Sequence, residues 1–272
     1  MKAKLYLHAG GALTTWDALN ALPTPPAIGK HVPVGHAAFL DRIERLLPVD
    51  GFSVIERQIA VAKDGARMFA LLQLAHPSLT CGDGSGYIMG VRNSHDKAFA
   101  ASVTVGRCPF VCDNLAFSSG ADGVVVNRRH IGGVHRDLGG MVMELIAGLA
   151  DRFRITDARD ACYRGATLDN RDADHFVLEL YRNGAIGWGE ARRVLAEYHG
   201  TAVNPDKVEF RHAEFEPRTA YSLFNAFTQE LKGIDDKGVA HPNVWELPKA
   251  TAIACEVFDR LCTFNPAGAI VV

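Results

Sequence analysis

An α+β architecture is expected for this chain: an antiparallel β-meander sheet with flanking helices, followed by a helical C-terminal half. Three observations lead there. Between Phe52 and Val126 the apolar residues recur in short runs with the period of strands. Those runs follow one another closely and are joined by turn residues. That suits hairpins, because parallel pairing needs crossovers of a dozen or more residues. After His135 the apolar period lengthens to that of helices. Strands first and helices afterwards is the order of an α+β protein.

The elements follow in sequence. Thr14 or Thr15 N-caps a short helix reaching Leu22, which Pro23, Pro25 and Pro26 end. The Pro-rich stretch to Pro33 is a connector or a laid-down arm. Phe39, Leu40, Ile43, Leu46 and Leu47 make a helical stripe within Gly35 to Leu47. Phe52 to Val61 reads as a strand. Lys63-Asp64-Gly65-Ala66 is a hairpin turn, since Asp-Gly supplies the positive φ that tight turns need, and Met68 to Leu74 is the returning strand. Further strands are predicted at Tyr87 to Val91, Phe99 to Val105, Pro109 to Cys112 and Gly123 to Val126. Helices are predicted at Leu138 to Phe153, Asp172 to Tyr181, Gly189 to Tyr198, Arg218 to Leu231 and Lys249 to Phe264. Residues 1–154 are read as a sheet domain with an N-terminal arm. Residues 155–272 are read as a helical portion packed on the sheet, with one continuous domain as the alternative.

Composition narrows the function classes. With 48% apolar and 22% charged residues, the chain has the balance of a folded globular protein, so a core is expected and disorder is not. The formal net charge of −2 offers no bulk basicity for nucleic acid. It is uneven, however: the first 150 residues carry 14 Lys and Arg against 12 Asp and Glu, and the remainder 15 against 19. A local basic patch fits within that balance. No apolar run is long enough to span a bilayer, and the N-terminus lacks the apolar core of a signal peptide. The six Cys are scattered at 81, 108, 112, 162, 255 and 262, which favours reduced thiols and a cytoplasmic setting.

The chemistry concentrates around Arg92-Asn93-Ser94-His95-Asp96-Lys97, where a strand runs into a polar turn. Arg92 and Lys97 are cationic donors, Asn93 a bidentate amide and His95 a switchable donor. Asp113 and Asn114 close a second apolar run. Arg128 and Arg129, with His130, His135 and Arg136 nearby, are expected to form a positive strip with Arg92, Lys97 and Arg107, against the commoner reading of a solvated basic loop. Tyr87, Phe99, Phe110 and Phe117 are the nearby aromatics that could stack on bases, with core packing as the competing reading and the commoner fate for the phenylalanines. Asn, Ser and Asp also favour turns for local reasons, so a plain hydrogen-bonded turn competes with a site. The ligand types His95, Asp96, Asp113, His130 and His135 show no metal spacing, and neither a Walker loop nor a nucleophile elbow occurs. No catalytic residue, metal or cofactor is therefore assigned.

Gly90 to Lys97 and Val111-Cys112-Asp113-Asn114-Leu115-Ala116-Phe117-Ser118 resemble the phage- and plasmid-like proteins grouped as domain-of-unknown-function family 932. Tyr221 to Lys232, Leu7 to Gly11 and Ala21 to Pro25 support the resemblance, which covers most of the chain. Ala98 departs from the family pattern, where a Ser often follows the Lys. The resemblance implies a mobile-element setting and no settled reaction. A meander followed by a long helix is also the element order of phage single-strand annealing proteins of the Erf and Red-beta kind, which assemble into rings or filaments. That analogy of fold does not fix function.

Together these readings lead to an expected non-enzymatic protein that binds single-stranded DNA, with annealing or recombination as its biological form and a homo-oligomer as its assembly. Arg92, Lys97, Arg128 and Arg129 are expected on phosphates, with Asn93, His95 and Asn114 shaping the site. Two alternatives stay open. One is a metal-assisted nuclease or other phosphodiester enzyme using His95 with Asp96 or Asp113. The other is a protein-interaction module acting on a host factor.

Overall fold

The computed structural model describes residues 4–6, 11–79, 86–107, 110–112, 125–200, 218–231 and 247–265. The chain divides into two compact units, Met1–Ser119 with Gly123–Phe153, and Gly120–Asp122 with Arg154–Val272.

The first unit carries the strands β1 (Lys4–Tyr6), β2 (Ala12–Thr14), β3 (Ser53–Ala62), β4 (Arg67–Ala75), β5 (Tyr87–Ser94), β6 (Ala101–Arg107), β7 (Phe110–Cys112) and β8 (Val125–Arg128). It also carries the helices α1 (Trp16–Asn20), α2 (His36–Leu46) and α3 (Val134–Ala147). Six strands form one antiparallel sheet in the order β2-β3-β4-β5-β6-β8. The segment expected as a meander strand at Pro109 to Cys112 leaves that order. As β7 it pairs in parallel with β1, Lys4 opposite Phe110, while β8 takes the place beside β6.

Local chemistry explains the hairpin at the centre of this sheet. The Ala66 N–H donates to the Lys63 carbonyl at 2.9 Å across Asp64 and Gly65. Both central residues have positive φ, 53° and 83°, as a turn matched to strand twist requires. A Cβ on Gly65 would also lie 2.9 Å from the Leu22 methyls, which would have to shift, and the φ of 83° itself favours glycine.

The central strands are buried on both faces. Met68, Ala70 and Leu72 of β4, Met89 and Val91 of β5, and Ala101 and Val103 of β6 share one core with Phe39, Leu40 and Ile43 of α2 and Leu138, Val142 and Leu145 of α3. Phe69, Leu71 and Ile88 are buried on the opposite face by the alternation of the strands. The helix expected over Leu138 to Phe153 is interrupted. Gly148 caps α3 at φ −109°, and α4 (Leu149–Gly165) starts immediately after it. Glycine is about 1 kcal/mol poorer than alanine inside a helix, which makes it the natural point for the break.

The second unit is helical: α5 (Asn170–Arg182), α6 (Trp188–Tyr198), α7 (Ala220–Leu231) and α8 (Leu247–Leu261), with the C-terminal part of α4. Asp169 and Asp172 form a reciprocal capping box at the start of α5, at 2.7 and 3.2 Å. Phe176, Leu180, Val194, Tyr198, Leu223, Phe227 and Phe258 are buried in its core. A polar cluster is sunk among them. Arg159 donates to both oxygens of Asp259, from Nε at 2.9 Å and Nη2 at 3.1 Å, and the Tyr163 hydroxyl donates to the same carboxylate at 2.6 Å. Burial, followed by the bond to Asp259, pushes the Tyr163 phenol well above its ordinary range. These are the strands and helices of an α+β protein with a helical C-terminal half. No helix among the described residues is long and apolar enough to cross a membrane.

Candidate functional site

The polar turn after β5 is built by its own residues. The Asp96 carboxylate accepts from the Ala98 N–H at 3.1 Å and from Arg67 Nε at 2.7 Å. Partial burial opposes ionisation of Asp96, but Arg67 and the Ala98 N–H hold its carboxyl below the usual carboxylate range. The Ser94 hydroxyl donates to the Phe99 carbonyl at 2.8 Å and accepts from the Phe99 N–H at 3.2 Å. Lys97 sits at the tip with φ 65°, exposed. The turn is thus locked on both sides of Lys97, which leaves that ammonium projecting from a fixed base.

Asn93 and His95 face inward and bind the Pro-rich arm. Asn93 Nδ2 donates to the Val34 carbonyl at 2.7 Å and to His36 Nδ1 at 2.9 Å. His36 Nε2 therefore carries the ring proton and donates to the Gly65 carbonyl at 3.0 Å. His95 Nε2 donates to the same Val34 carbonyl at 2.9 Å, and its ring stacks on His36 with centroids 3.8 Å apart. His31 Nε2 donates to the His95 carbonyl at 3.2 Å. The Val32 N–H donates to the His130 carbonyl at 2.9 Å, so the arm is also stitched to the segment after β8. Removing the amide in Asn93→Ala leaves Val34 short of a donor and His36 Nδ1 unpaired. The buried, unpartnered Asn93 Oδ1 disappears as well, which offsets part of the cost. A loss of about 2 kcal/mol is expected in urea unfolding.

The imidazoles of His36, His95 and His130 are held neutral. Burial, then the neighbouring His95, lowers His36 to about 4. Burial, then His31 and His95, lowers His130 to about 4. Burial is also the leading cause of the downward shift of His95. In the unfolded chain each histidine titrates near its ordinary value of about 6.5. Below that pH the unfolded state takes up protons that the folded state refuses. Stability is therefore full above about pH 6.5 and falls as pH drops toward 4, by up to about 1.4 kcal/mol per pH unit for each such histidine. The urea midpoint is expected to fall between pH 7 and pH 5, above the range of ordinary carboxylates. A flat midpoint over that interval would contradict this account.

An open pocket of about 500 Å³ lies beside this clasp, lined from three segments around residues 28–31, 97–100 and 129–131. Lys30, Lys97 and Arg129 supply its cations, and all three are exposed. Ile28, Phe99 and Ile131 supply apolar surface. His130 lines it too, only 5% exposed. Neither of its ring nitrogens has a well-formed hydrogen bond among the described residues, the Val32 backbone giving only weak support. None of the three cations has a carboxylate partner among the described residues.

Of the residues singled out from the sequence, Lys97 and Arg129 reach this pocket together. Arg92 and Arg128 do not join them. Arg92 pairs across the sheet with Phe69 and Ser102, whereas Arg128 pairs with Ala101, so the two arginines occupy opposite faces. Arg92 lies over the Phe99 ring at 5.1 Å, and its burial lowers its pKa to about 10. Arg128 donates to Asp137 at 2.5 Å, and Arg136 and Arg128 together hold that carboxyl below its usual range. The expected continuous strip is therefore interrupted. Tyr87 is core, 4.2 Å from the Phe153 ring, whereas Phe99 is half-buried and lines the pocket. Asp113, Asn114 and Phe117 lie outside the described residues. Lys30 and His31 were not anticipated. They stand some 60 residues before His95, in an arm whose sequence signals only prolines, and only the fold brings them in.

The family model described as Domain of unknown function (DUF932) matches residues 29–236. The chain belongs to the DUF932 family. The matched span contains Lys30, Lys97, Arg129 and all four histidines of the clasp. Neither a curated protein nor a solved structure matches the chain.

Proposed function

We propose that this DUF932 protein binds single-stranded DNA without cleaving it, using the pocket formed by the arm, the turn after β5 and the segment after β8. The observation that carries the reading is the grouping of Lys30, Lys97 and Arg129 around one opening with no described carboxylate to neutralise them. Exposed cations attract phosphates by releasing condensed counterions. Phe99 and the two isoleucines provide the apolar surface on which a base or sugar rests, and stacking of this kind tolerates any sequence. His95 and Asp96 favour this reading over phosphodiester chemistry, because each already serves as a structural bond, to Val34 and to Arg67. Annealing or recombination on a mobile element, with several copies arrayed along a strand in the cytoplasm, is the biological form this reading takes.

The test is fluorescence anisotropy with a labelled single-stranded oligonucleotide at low salt. Binding that weakens steadily as salt rises is expected. Absence of binding by protein shown to be folded by circular dichroism would sink the reading.

A further inference from the structure

We propose that the pocket receives the phosphorylated end of a nucleic acid strand, a terminal phosphomonoester with its nucleotide, rather than the interior of the backbone. This rests on the strand-binding reading and makes it specific. Three features of the pocket carry it. First, its volume of about 500 Å³ falls in the range of small-molecule sites and holds one nucleotide, whereas a strand interior tracks along an extended groove. Second, its cations come from three separate segments, Lys30 on the arm, Lys97 on the turn and Arg129 after β8. Cations gathered around one opening match a compact multiple charge. A terminal phosphate carries close to two negative charges and three non-bridging oxygens, and an internal diester only one charge and two such oxygens.

The third feature is His130. His130 is only 5% exposed and lines the pocket; the Val32 backbone supports at most one of its ring nitrogens, which leaves the other without a partner among the described residues. Buried polar groups are nearly always satisfied, and an orphaned one in a cationic pocket is a place where a ligand completes the hydrogen bonding. A neutral imidazole donates one N–H to a phosphate oxygen without adding a fourth charge to the site. Phe99 and Ile131 then flank the attached sugar and base.

The experiment compares one internally labelled oligonucleotide in three forms: 5′-phosphorylated, 3′-phosphorylated and unphosphorylated. The protein is the full chain, wild type and with Lys97→Asn or Arg129→Ala. Both positions are exposed, and asparagine tolerates the positive φ at 97. One phosphorylated end is expected to tighten binding about tenfold, with the preferred end showing the polarity of the strand. Either substitution is expected to erase that preference. His130→Gln, checked for folding, is expected to reduce it. Equal affinity for the three oligonucleotides overturns the end-binding proposal and leaves strand binding standing. Failure of all three to bind overturns both. Calorimetric titration with a deoxynucleoside monophosphate and with inorganic phosphate separates the remaining sources. Saturation by either small molecule without oligonucleotide binding replaces the strand end by a free phosphorylated metabolite and overturns the proposal.

Discussion

Replacing Lys30 and Arg129 by alanine and Lys97 by asparagine is expected to weaken single-stranded DNA binding about a hundredfold at low salt. The same variant should flatten the salt dependence. Each phosphate charge neutralised on a single strand contributes about 0.7 to the slope of log K against log salt, so the slope falls by about 2 when the three cations meet separate phosphates and by about 1.4 when they share one doubly charged end phosphate. The slope is the sharper readout, because general loss of affinity from a damaged fold does not change it by a set amount. Arg92→Ala and Arg128→Ala are the comparison. Arg92 is half-buried over Phe99 and Arg128 is tied to Asp137, so neither should change the slope by as much as one phosphate contact. If those two variants flatten the slope as much as the pocket variants do, phosphate contacts are spread over both sheet faces and the pocket has no special role.

Asp259→Ala is expected to destabilise the helical unit by about 3–5 kcal/mol, measured by differential scanning calorimetry. The carboxylate is the shared acceptor of Arg159 and Tyr163, and Arg159 is only 8% exposed. Removing it deprives a buried guanidinium of the carboxylate that it grips through two of its nitrogens. Tyr163→Phe should cost only about 1 kcal/mol, since it deletes a single donor, shared between Asp259 at 2.6 Å and the Cys255 carbonyl at 3.4 Å, and leaves the ion pair in place. Near-equal costs for the two variants would mean that packing around α4 and α8 dominates and the charge pair contributes little.

The meander was legible because alternation and turn chemistry are local. Asp64-Gly65 announces its hairpin, and the apolar period of β4 marks a buried strand. The helical half was legible for the same reason, from the stripe in α5 to the one in α8. What escaped depends on distance along the chain. The pairing of β1 with β7 joins residues about a hundred positions apart in three-residue strands, too short for a periodic signal. At the site, the residues expected to act together included neighbours on one strand. Arg92 and Asn93 point to opposite faces because successive strand side chains alternate, and that signal was available in the sequence. Lys97 and Arg129 escape this constraint because both lie in irregular segments just beyond a strand end. Lys30 carried no local mark, since a lysine in a proline-rich arm looks the same whether it is free in solvent or held against a strand end.

The histidine clasp bears on the order of folding. The pocket draws its wall from segments near residues 28, 97 and 129, and Val32 and Val34 hold the first of these against the other two. No hairpin or helix of this chain can form the pocket alone. Closing contacts over such long stretches of chain is slow, because loop entropy is lost before the contacts repay it. The sheet can collapse around β4 and β5 early, but the pocket is complete only once β8 has docked and the arm has been drawn down. A nascent or partly folded chain therefore lacks the assembled cation cluster, so the strand capture proposed above requires the finished molecule.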